Sequence, residues 1–302
     1  MNTPKNKYVI YTAMVGGYDN IMQPKVVDDR FDYILFSNDI KEDRVGVWQV
    51  RPIPYHNEDN TRICRYVKTH PEELLPEYDF SVWMDSNIRI VTSYVYERSL
   101  DLYTNNVLVA TVWHTARQCI YDEAFEVMAY RVEYERIVIN WCQRLRKENY
   151  PQNNGLGETG LMYRAHSNPK VLHLDKMWWD CINEYSKRDQ LSFDYVIWKL
   201  GIVYEFFLPK TVNVLNSHDL EYIHHANESK KYISYQSEPW LIRYYRKVPT
   251  SYDEIKKVYN LIYTLPFPHF WSSFFGQLYR VKNFFKRHKR KLKKFIKRKI
   301  CC

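Results

Sequence analysis

Val82-Trp83-Met84-Asp85-Ser86-Asn87-Ile88-Arg89-Ile90 places a carboxylate and an amide, two residues apart, between two apolar runs. A strand buried on both faces reads as an unbroken apolar stretch, and the carboxyl ends of such strands are where open α/β sheets take ligands. In an extended segment, side chains two apart share a face, which would put Asp85 and Asn87 on one side. Two oxygen donors on one side suit Mg²⁺ or Mn²⁺, ions that also accept oxygens from substrate phosphates. The same three residues are also ordinary turn chemistry after a strand. Both readings stay open on these residues alone.

Other segments upstream and downstream have the same strand character. Tyr8–Val15 is a buried run ending in Gly16-Gly17-Tyr18-Asp19, and Phe31–Phe36 ends in Ser37-Asn38-Asp39. Val47–Val50, Val107–Val112, Gly160–Arg164 and Val203–Leu208 complete the expected strands. Helical apolar spacing runs from Arg117 to about Lys147. Ser186 to Leu200 reads as a helix opened by a Ser186-x-x-Asp189 capping box and closed by Gly201. Strands alternating with helices predict an α/β sandwich with a mostly parallel central sheet. One domain over residues 1–262 is the simplest partition, followed by a tail over residues 263–302.

Composition narrows the function. The chain has 302 residues, enough for a substantial core, but only 8 glycines, and neither a Walker-type nor a G-x-G-x-x-G phosphate loop occurs. The formal net charge of +9 is concentrated in one place. Twelve Lys/Arg and no acid lie between Leu278 and Ile300; without them 32 bases face 35 acids, about −3. A near-neutral body does not resemble a nucleic-acid-binding domain, which carries a basic stripe on its folded surface. No C-x-x-C pair occurs among the six cysteines, which suits reduced thiols and no zinc site. No run reaches the length of a membrane span, and the N-terminus lacks the pattern of a signal peptide. In the tail, Leu278, Val281, Phe285, His288, Leu292, Phe295 and Ile296 recur at helical spacing among the bases, just after a ring-rich stretch from Pro266 to Phe275. That predicts a basic amphipathic helix, with an anionic membrane surface as the partner of residues 278–300.

Several strand ends carry polar clusters, and such ends converge in an α/β sheet. Arg62, Arg65 and Lys68 have the spacing of one helix face, either to meet phosphates or simply to face solvent. His114 and Arg117 follow a strand directly, and Glu158 stands beside another. Asp189 is either a helix-capping acid or a functional carboxylate.

The combination of Tyr11-Thr12-Ala13 through Gly16-Gly17-Tyr18-Asp19, Arg62 to Lys68, Trp83-Met84-Asp85, His114 and Arg117 through Ala124, Glu158-Thr159-Gly160 through His166, and Arg188 to Phe193 resembles a bacterial and plant glycosyltransferase-like family, long filed as a domain of unknown function and including plant cell-wall members. The resemblance covers roughly residues 7–225. It implies a GT-A-like, Rossmann-like α/β/α domain that uses a nucleotide-sugar donor and a divalent Mn²⁺ or Mg²⁺. By position, Asp85 takes the first place of a DxD-like motif, Asn87 the second, and His218 the place of a C-terminal third metal ligand. Thr12, Gly16, Gly17, Tyr18, Asp39, Arg62, Arg65, Lys68, His114 and Arg117 fall at donor- or acceptor-binding positions, and Asp189, Gln190 and Glu158 at catalytic ones. The expectation is a peripheral membrane enzyme at the cytoplasmic face, moving a sugar from a UDP-sugar to a glycan or lipid-linked acceptor in surface polysaccharide synthesis. A membrane-lipid hydrolase using the same metal site, and a non-catalytic nucleotide- or sugar-binding module, are the alternatives.

Overall fold

A computed structural model describes residues 7–226, 241–242 and 252–300, with the backbone alone at 283, 285 and 287–300. The chain falls into two compact units, Met1–Ile120 with Tyr150–Lys231, and Tyr121–Asn149 with Tyr232–Cys302.

The first unit is built on an eight-stranded sheet in the order β3-β4-β2-β1-β5-β8-β7-β9. Its strands are β1 (Tyr8–Ala13), β2 (Phe31–Phe36), β3 (Arg44–Val45), β4 (Trp48–Arg51), β5 (Phe80–Met84), β7 (Val109–Trp113), β8 (Gly157–Arg164) and β9 (Glu205–Phe206). Pairing is parallel from β4 through β2 and β1 to β5 and again between β7 and β9; β3 and β8 run against their neighbours. This is the predicted α/β architecture with a largely parallel central sheet. All five residues of β5 are buried, as are Val9–Ala13 of β1. Each fully buried Val, Ile or Phe there contributes roughly 1.5–3 kcal/mol. Central burial on both faces explains why the apolar runs are continuous and do not alternate.

A second, two-stranded sheet pairs β6 (Ile88–Ile90) with β10 (Leu220–Tyr222) in antiparallel register, Tyr222 opposite Ile88 and Leu220 opposite Ile90. Helices α1 (Asn60–Thr69), α2 (Pro71–Leu74), α3 (Tyr94–Thr104), α6 (Pro169–Glu184) and α7 (Phe193–Leu200) complete the unit. Asp59 caps α1 by accepting from the Thr61 N–H, and Asn168 caps α6 through Lys170 with Pro169 at the first helical position. A fully buried arginine ties these layers together. Arg164 at the end of β8 donates to Asp175 on α6 (2.6 Å), to the Tyr11 hydroxyl on β1, and to the Lys68 carbonyl near the end of α1.

The second unit contains α4 (Ile120–Ala129), α5 (Glu135–Lys147), α8 (Tyr252–Ile262) and α9 (Pro268–Ile300). Its centre is the Glu135 carboxylate, which accepts from the hydroxyls of Tyr259 (2.6 Å) and Ser272. Burial pushes the Glu135 carboxyl upward against those two hydrogen bonds.

The structure revises three local expectations. The helical stretch from Arg117 to Lys147 is two helices, because the chain leaves the helix at Arg131, where φ is +57°. The capping box at Ser186 does not form. The Ser186 hydroxyl accepts from the Arg188 N–H (3.1 Å), Asp189–Leu191 is a single 3₁₀ turn, and α7 starts only at Phe193. The strand expected over Val203–Leu208 is limited to Glu205–Phe206.

Candidate active site

The central switch in strand order lies at β1, which has β2 on one side and β5 on the other. Ligand crevices in open α/β sheets form outside the carboxyl ends of strands at such a point. The loops that follow β1, β2 and β5 here carry Gly16–Asp19, Ser37–Asp39 and Asp85–Asn87. Gly16 and Gly17 have φ of +72° and +57°, which favours glycine at both. At Gly16 a Cβ would also come within 2.1 Å of the Asn60 amide nitrogen at the start of α1. The Gly16 N–H donates to Asp39 Oδ2 at 2.5 Å, which links the first two loops. Thr12 lines a narrow cleft with Met14, Ile21, Met84, Asp85 and Ser86, and its hydroxyl is buried with no hydrogen-bond partner among the described residues.

Asp85 closes β5 and is held in a defined pose. Its backbone N–H donates to the Gly160 carbonyl (2.8 Å), and its Oδ1 accepts from the Trp83 indole N–H (2.8 Å). The Lys68 ammonium lies 3.8 Å from that same oxygen. The other oxygen, Oδ2, lies over Gly160, where a Cβ would sit 3.2 Å away. Glycine therefore gives this carboxylate oxygen and Ile88 Cδ1, 3.3 Å from the same point, the room they occupy. Replacing Gly160 by alanine is expected to crowd that oxygen and Ile88 Cδ1, to lower folding stability by about 1–3 kcal/mol, and to weaken stabilisation by any ligand of this cleft about tenfold in apparent affinity. Titration by thermal shift checks both effects.

The chain turns at Asp85, whose carbonyl accepts from the Ile88 N–H (2.9 Å), so strand alternation does not carry on to Asn87. Asn87 is buried and grips β10's extension: its side-chain amide donates to the Ile223 carbonyl (3.0 Å), and its own carbonyl accepts from the Ile223 N–H (2.9 Å). The antiparallel register carries residues beyond Tyr222 toward this end of β6, and so brings in His225. His225 Nδ1 donates to Asp19 Oδ1 (2.8 Å), while Asp19 Oδ2 accepts from Ser86 Oγ (2.6 Å). Burial opposes ionisation of Asp19, but the hydrogen bonds from His225 and Ser86 hold its carboxyl below the usual range. The Tyr18 ring packs on His225 at 4.6 Å. His218 is exposed at the opposite end of the same β6–β10 ladder. Sequence reading gave the histidine role to His218 and assigned none to Asp19 or His225. The signal was the position of His225 three residues past a strand, which counts only once the pairing partner of that strand is known.

Beneath Asp85 sits a buried ionic cluster. Asp189 is accompanied by Lys68 (Nζ–Oδ2, 2.5 Å), Arg65 (Nε–Oδ1, 3.0 Å) and the Thr159 hydroxyl (2.8 Å to Oδ2). Lys68 is 1% exposed and Asp189 3%. Burial resists ionisation of Asp189, yet the charges of Arg65, Lys68 and Arg188 outweigh it and hold the carboxyl well below the ordinary value. Such a carboxylate is a weak proton acceptor and a strong anchor. Arg62, on the same face of α1, donates to the Ile182 and Asn183 carbonyls in the last turn of α6. Gln190, next to Asp189, has a buried amide nitrogen without a hydrogen-bond partner among the described residues.

A second group forms at the end of β7. His114 Nδ1 accepts from the N–H groups of Ala116 and Arg117 (3.2 and 2.9 Å), its Nε2 lies 2.9 Å from the Arg117 guanidinium and 4.0 Å from Glu158 Oε1. Burial, reinforced by the Arg117 charge, lowers the His114 imidazole to about 4, so it is neutral at pH 7.

The family model described as "TOD1/MUCI70, glycosyltransferase-like domain" matches residues 1–220. The chain belongs to this family. Membership and sheet order together make the first unit a GT-A-like fold, as the resemblance implied. Among solved structures, the chain is similar to the apo form of the WbbM bifunctional glycosyltransferase, at 14% identity and a TM-score of 0.37, covering 69% of this chain and 39% of that one. It is also similar to the apo form of mouse xyloside xylosyltransferase 1, at 8% identity and a TM-score of 0.38, covering 67% of this chain and 84% of that one. The chain thus spans about two fifths of the length of WbbM. No curated protein matches it.

Among the described residues, no three His, Cys, Asp or Glu side chains gather into a metal cage. Mg²⁺-type ions commonly take one or two protein carboxylates and complete their shell with phosphates and water. The Asp85 oxygen over Gly160, in a space that a Cβ would fill, fits that mode.

Proposed function

We propose that this member of the family is a metal-assisted glycosyltransferase that takes a UDP-sugar as donor and a glycan or lipid-linked acceptor at the cytoplasmic face of a membrane. The observation that carries the proposal is the fixed Asp85 carboxylate at the β5 end, with one oxygen held by Trp83, the other over Gly160, and the side chain 35% exposed. Asp85 would hold Mn²⁺ or Mg²⁺ together with the donor diphosphate; Asn87 and His225 are the next candidates to complete the set. The ion would supply charge neutralisation for the departing nucleoside diphosphate.

The rest of the work falls to side chains of this unit. The Gly16-Gly17-Tyr18 loop lies against the nucleotide. Arg65 and Lys68 contribute positive charge beneath the phosphates, a form of preorganised electrostatic stabilisation. The buried, unpaired Thr12 hydroxyl and Gln190 amide nitrogen are available to donor atoms. Asp189 acts as a positioning residue that sets Lys68 and Arg65. Glu158, 25% exposed beside His114 and Arg117, is the carboxylate placed to orient or deprotonate an acceptor hydroxyl.

A panel of nucleotide sugars, screened by thermal shift with and without Mn²⁺ and then assayed for release of nucleoside diphosphate, tests this reading. Stabilisation by one UDP-sugar that grows with Mn²⁺, followed by turnover, is the expected result. Binding without turnover would make the chain a non-catalytic nucleotide-sugar module, and no stabilisation by any nucleotide would overturn the proposal.

A further inference from the structure

Helix α9 of the second unit has its polarity reversed. Pro268, Ser272, Gly276 and Tyr279 are its buried positions, and the Ser272 hydroxyl is bonded to Glu135. Trp271 and Phe275 are half-buried beside them, but a second group of large apolar residues points the other way. Phe270 is 61% exposed, Phe274 42%, Leu278 53% and Val281 53%, with Phe267 just before the helix at 80%. At 100° per residue the four helical ones fall within about 80° of one another, on the side opposite Ser272, Gly276 and Tyr279. A helix on the surface of a soluble unit buries its apolar stripe and exposes its polar one. Here Ser272 and Gly276 are buried with Tyr279, Trp271 and Phe275 are half-buried, and Phe270, Phe274, Leu278 and Val281 are presented outward.

The charge pattern identifies what covers that face. From Pro268 to Ile300 the sequence has no acid, and its twelve bases begin at Arg280, next to Val281. Arg280, Lys282 and Lys286 are exposed, with the Lys282 ammonium paired to Glu254 of α8 (2.8 Å). The side chains of Phe285, His288, Leu292, Phe295 and Ile296 lie outside the described residues. A second copy of the chain would bring two such basic segments together, which is unfavourable. Nucleic acid would satisfy the bases but not Leu278 and Val281, which have no π-face for base stacking. An anionic bilayer satisfies both: aromatic and aliphatic side chains enter the headgroup–acyl boundary, and lysines and arginines meet the lipid charge. Among the described residues no helix is long and apolar enough to cross a membrane.

We propose that α9 lies in the plane of an anionic lipid surface, with Phe267, Phe270, Phe274, Leu278 and Val281 inserted, Arg280 at the headgroups, and the run of bases that follows it in sequence adding to the attraction, so that the segment from residue 263 onward serves in membrane association. This rests on the second unit alone and stands or falls separately from the sugar-transfer reading.

Co-sedimentation of the full chain with vesicles of phosphatidylcholine, alone or mixed with phosphatidylglycerol, tests it. Binding to the anionic vesicles is expected to be at least about tenfold stronger and to weaken with added salt. A Phe270→Ser/Phe274→Ser/Leu278→Ser variant changes only outward-facing positions. It should keep its thermal melt and lose vesicle binding by about tenfold or more. Equal binding to neutral and anionic vesicles, or vesicle binding unchanged in the variant, would overturn the proposal. So would a wild-type dimer that the same variant dissociates, or RNA competing fully with the vesicles.

Discussion

Replacing Asp85 with alanine is expected to abolish the Mn²⁺-dependent part of stabilisation by UDP and to lower turnover about 10²–10³-fold, the usual effect of removing one preorganised group that stabilises transition-state charge. The reasoning follows from how the carboxylate is held. The Trp83 indole and, at longer range, the Lys68 ammonium lie against Oδ1, leaving Oδ2 as the oxygen presented to a ligand. Removing the carboxylate deletes that oxygen and leaves the loop backbone anchored by the bond from the Asp85 N–H to Gly160. The Asp85 side chain is 35% exposed, so the effect on folding should be small. Stabilisation by UDP without metal should persist, because the Gly16-Gly17 loop and the basic residues are untouched. Thermal-shift titrations with and without Mn²⁺ separate the two contributions, and an unchanged metal-dependent increment would remove Asp85 from the metal site.

Asp189→Asn is expected to act mainly on stability, by about 3–5 kcal/mol. It would leave the Lys68 ammonium and the Arg65 guanidinium buried without their shared anion, and an uncompensated buried charge is among the most costly defects a core can carry. The pH dependence gives a second signature. Asp189 is held below the ordinary carboxyl value in the folded chain, so at low pH the unfolded chain binds the proton first. Its contribution is fully present above about pH 4, the unfolded value, and is lost as pH falls toward the depressed folded value. The wild type should therefore lose more stability than the variant on going from neutral pH into that acidic window. Urea unfolding at a series of pH values measures this. Parallel curves for the two proteins would show that Asp189 is not the anchor of the cluster.

The parts of the fold legible in sequence were those whose signal is local. β1, β2 and β5 are buried on both faces, and their apolar runs say so directly. The i, i+3, i+6 spacing of Arg62, Arg65 and Lys68 placed them together on one face of α1. Spacing could not say where each side chain goes: Arg62 ends on the carbonyls of α6, while Arg65 and Lys68 end on Asp189. Asp189 has the pattern of a capping acid, but a tertiary demand for a buried anion overrode the local preference. Strands β3, β6 and β10 are two or three residues long, too short to show a period, and they form because a partner strand reaches them. For the candidate site, Asp85 was legible from the strand that ends at it. Trp83 as its hydrogen-bond partner and Gly160 as the space beside it were not, because both depend on neighbouring strands.

The clasp at the site has a consequence for the order in which the protein is made. His225 meets Asp19 across 206 positions of sequence, and Asn87 meets Ile223 across 136. During synthesis the chain emerges from its N-terminus, so strands β1, β2 and β5 can pair long before β10 exists. Until residues 220–225 leave the ribosome, Asp19 lacks its histidine and the loop carrying Asp85 lacks the strand that pins Asn87. The sheet is therefore expected to form early, and the site to close as one of the last acts of folding in this unit. Ribosome-arrested chains ending before residue 220 should resist proteolysis within β1–β5 and remain cleavable between Asp85 and Ile88.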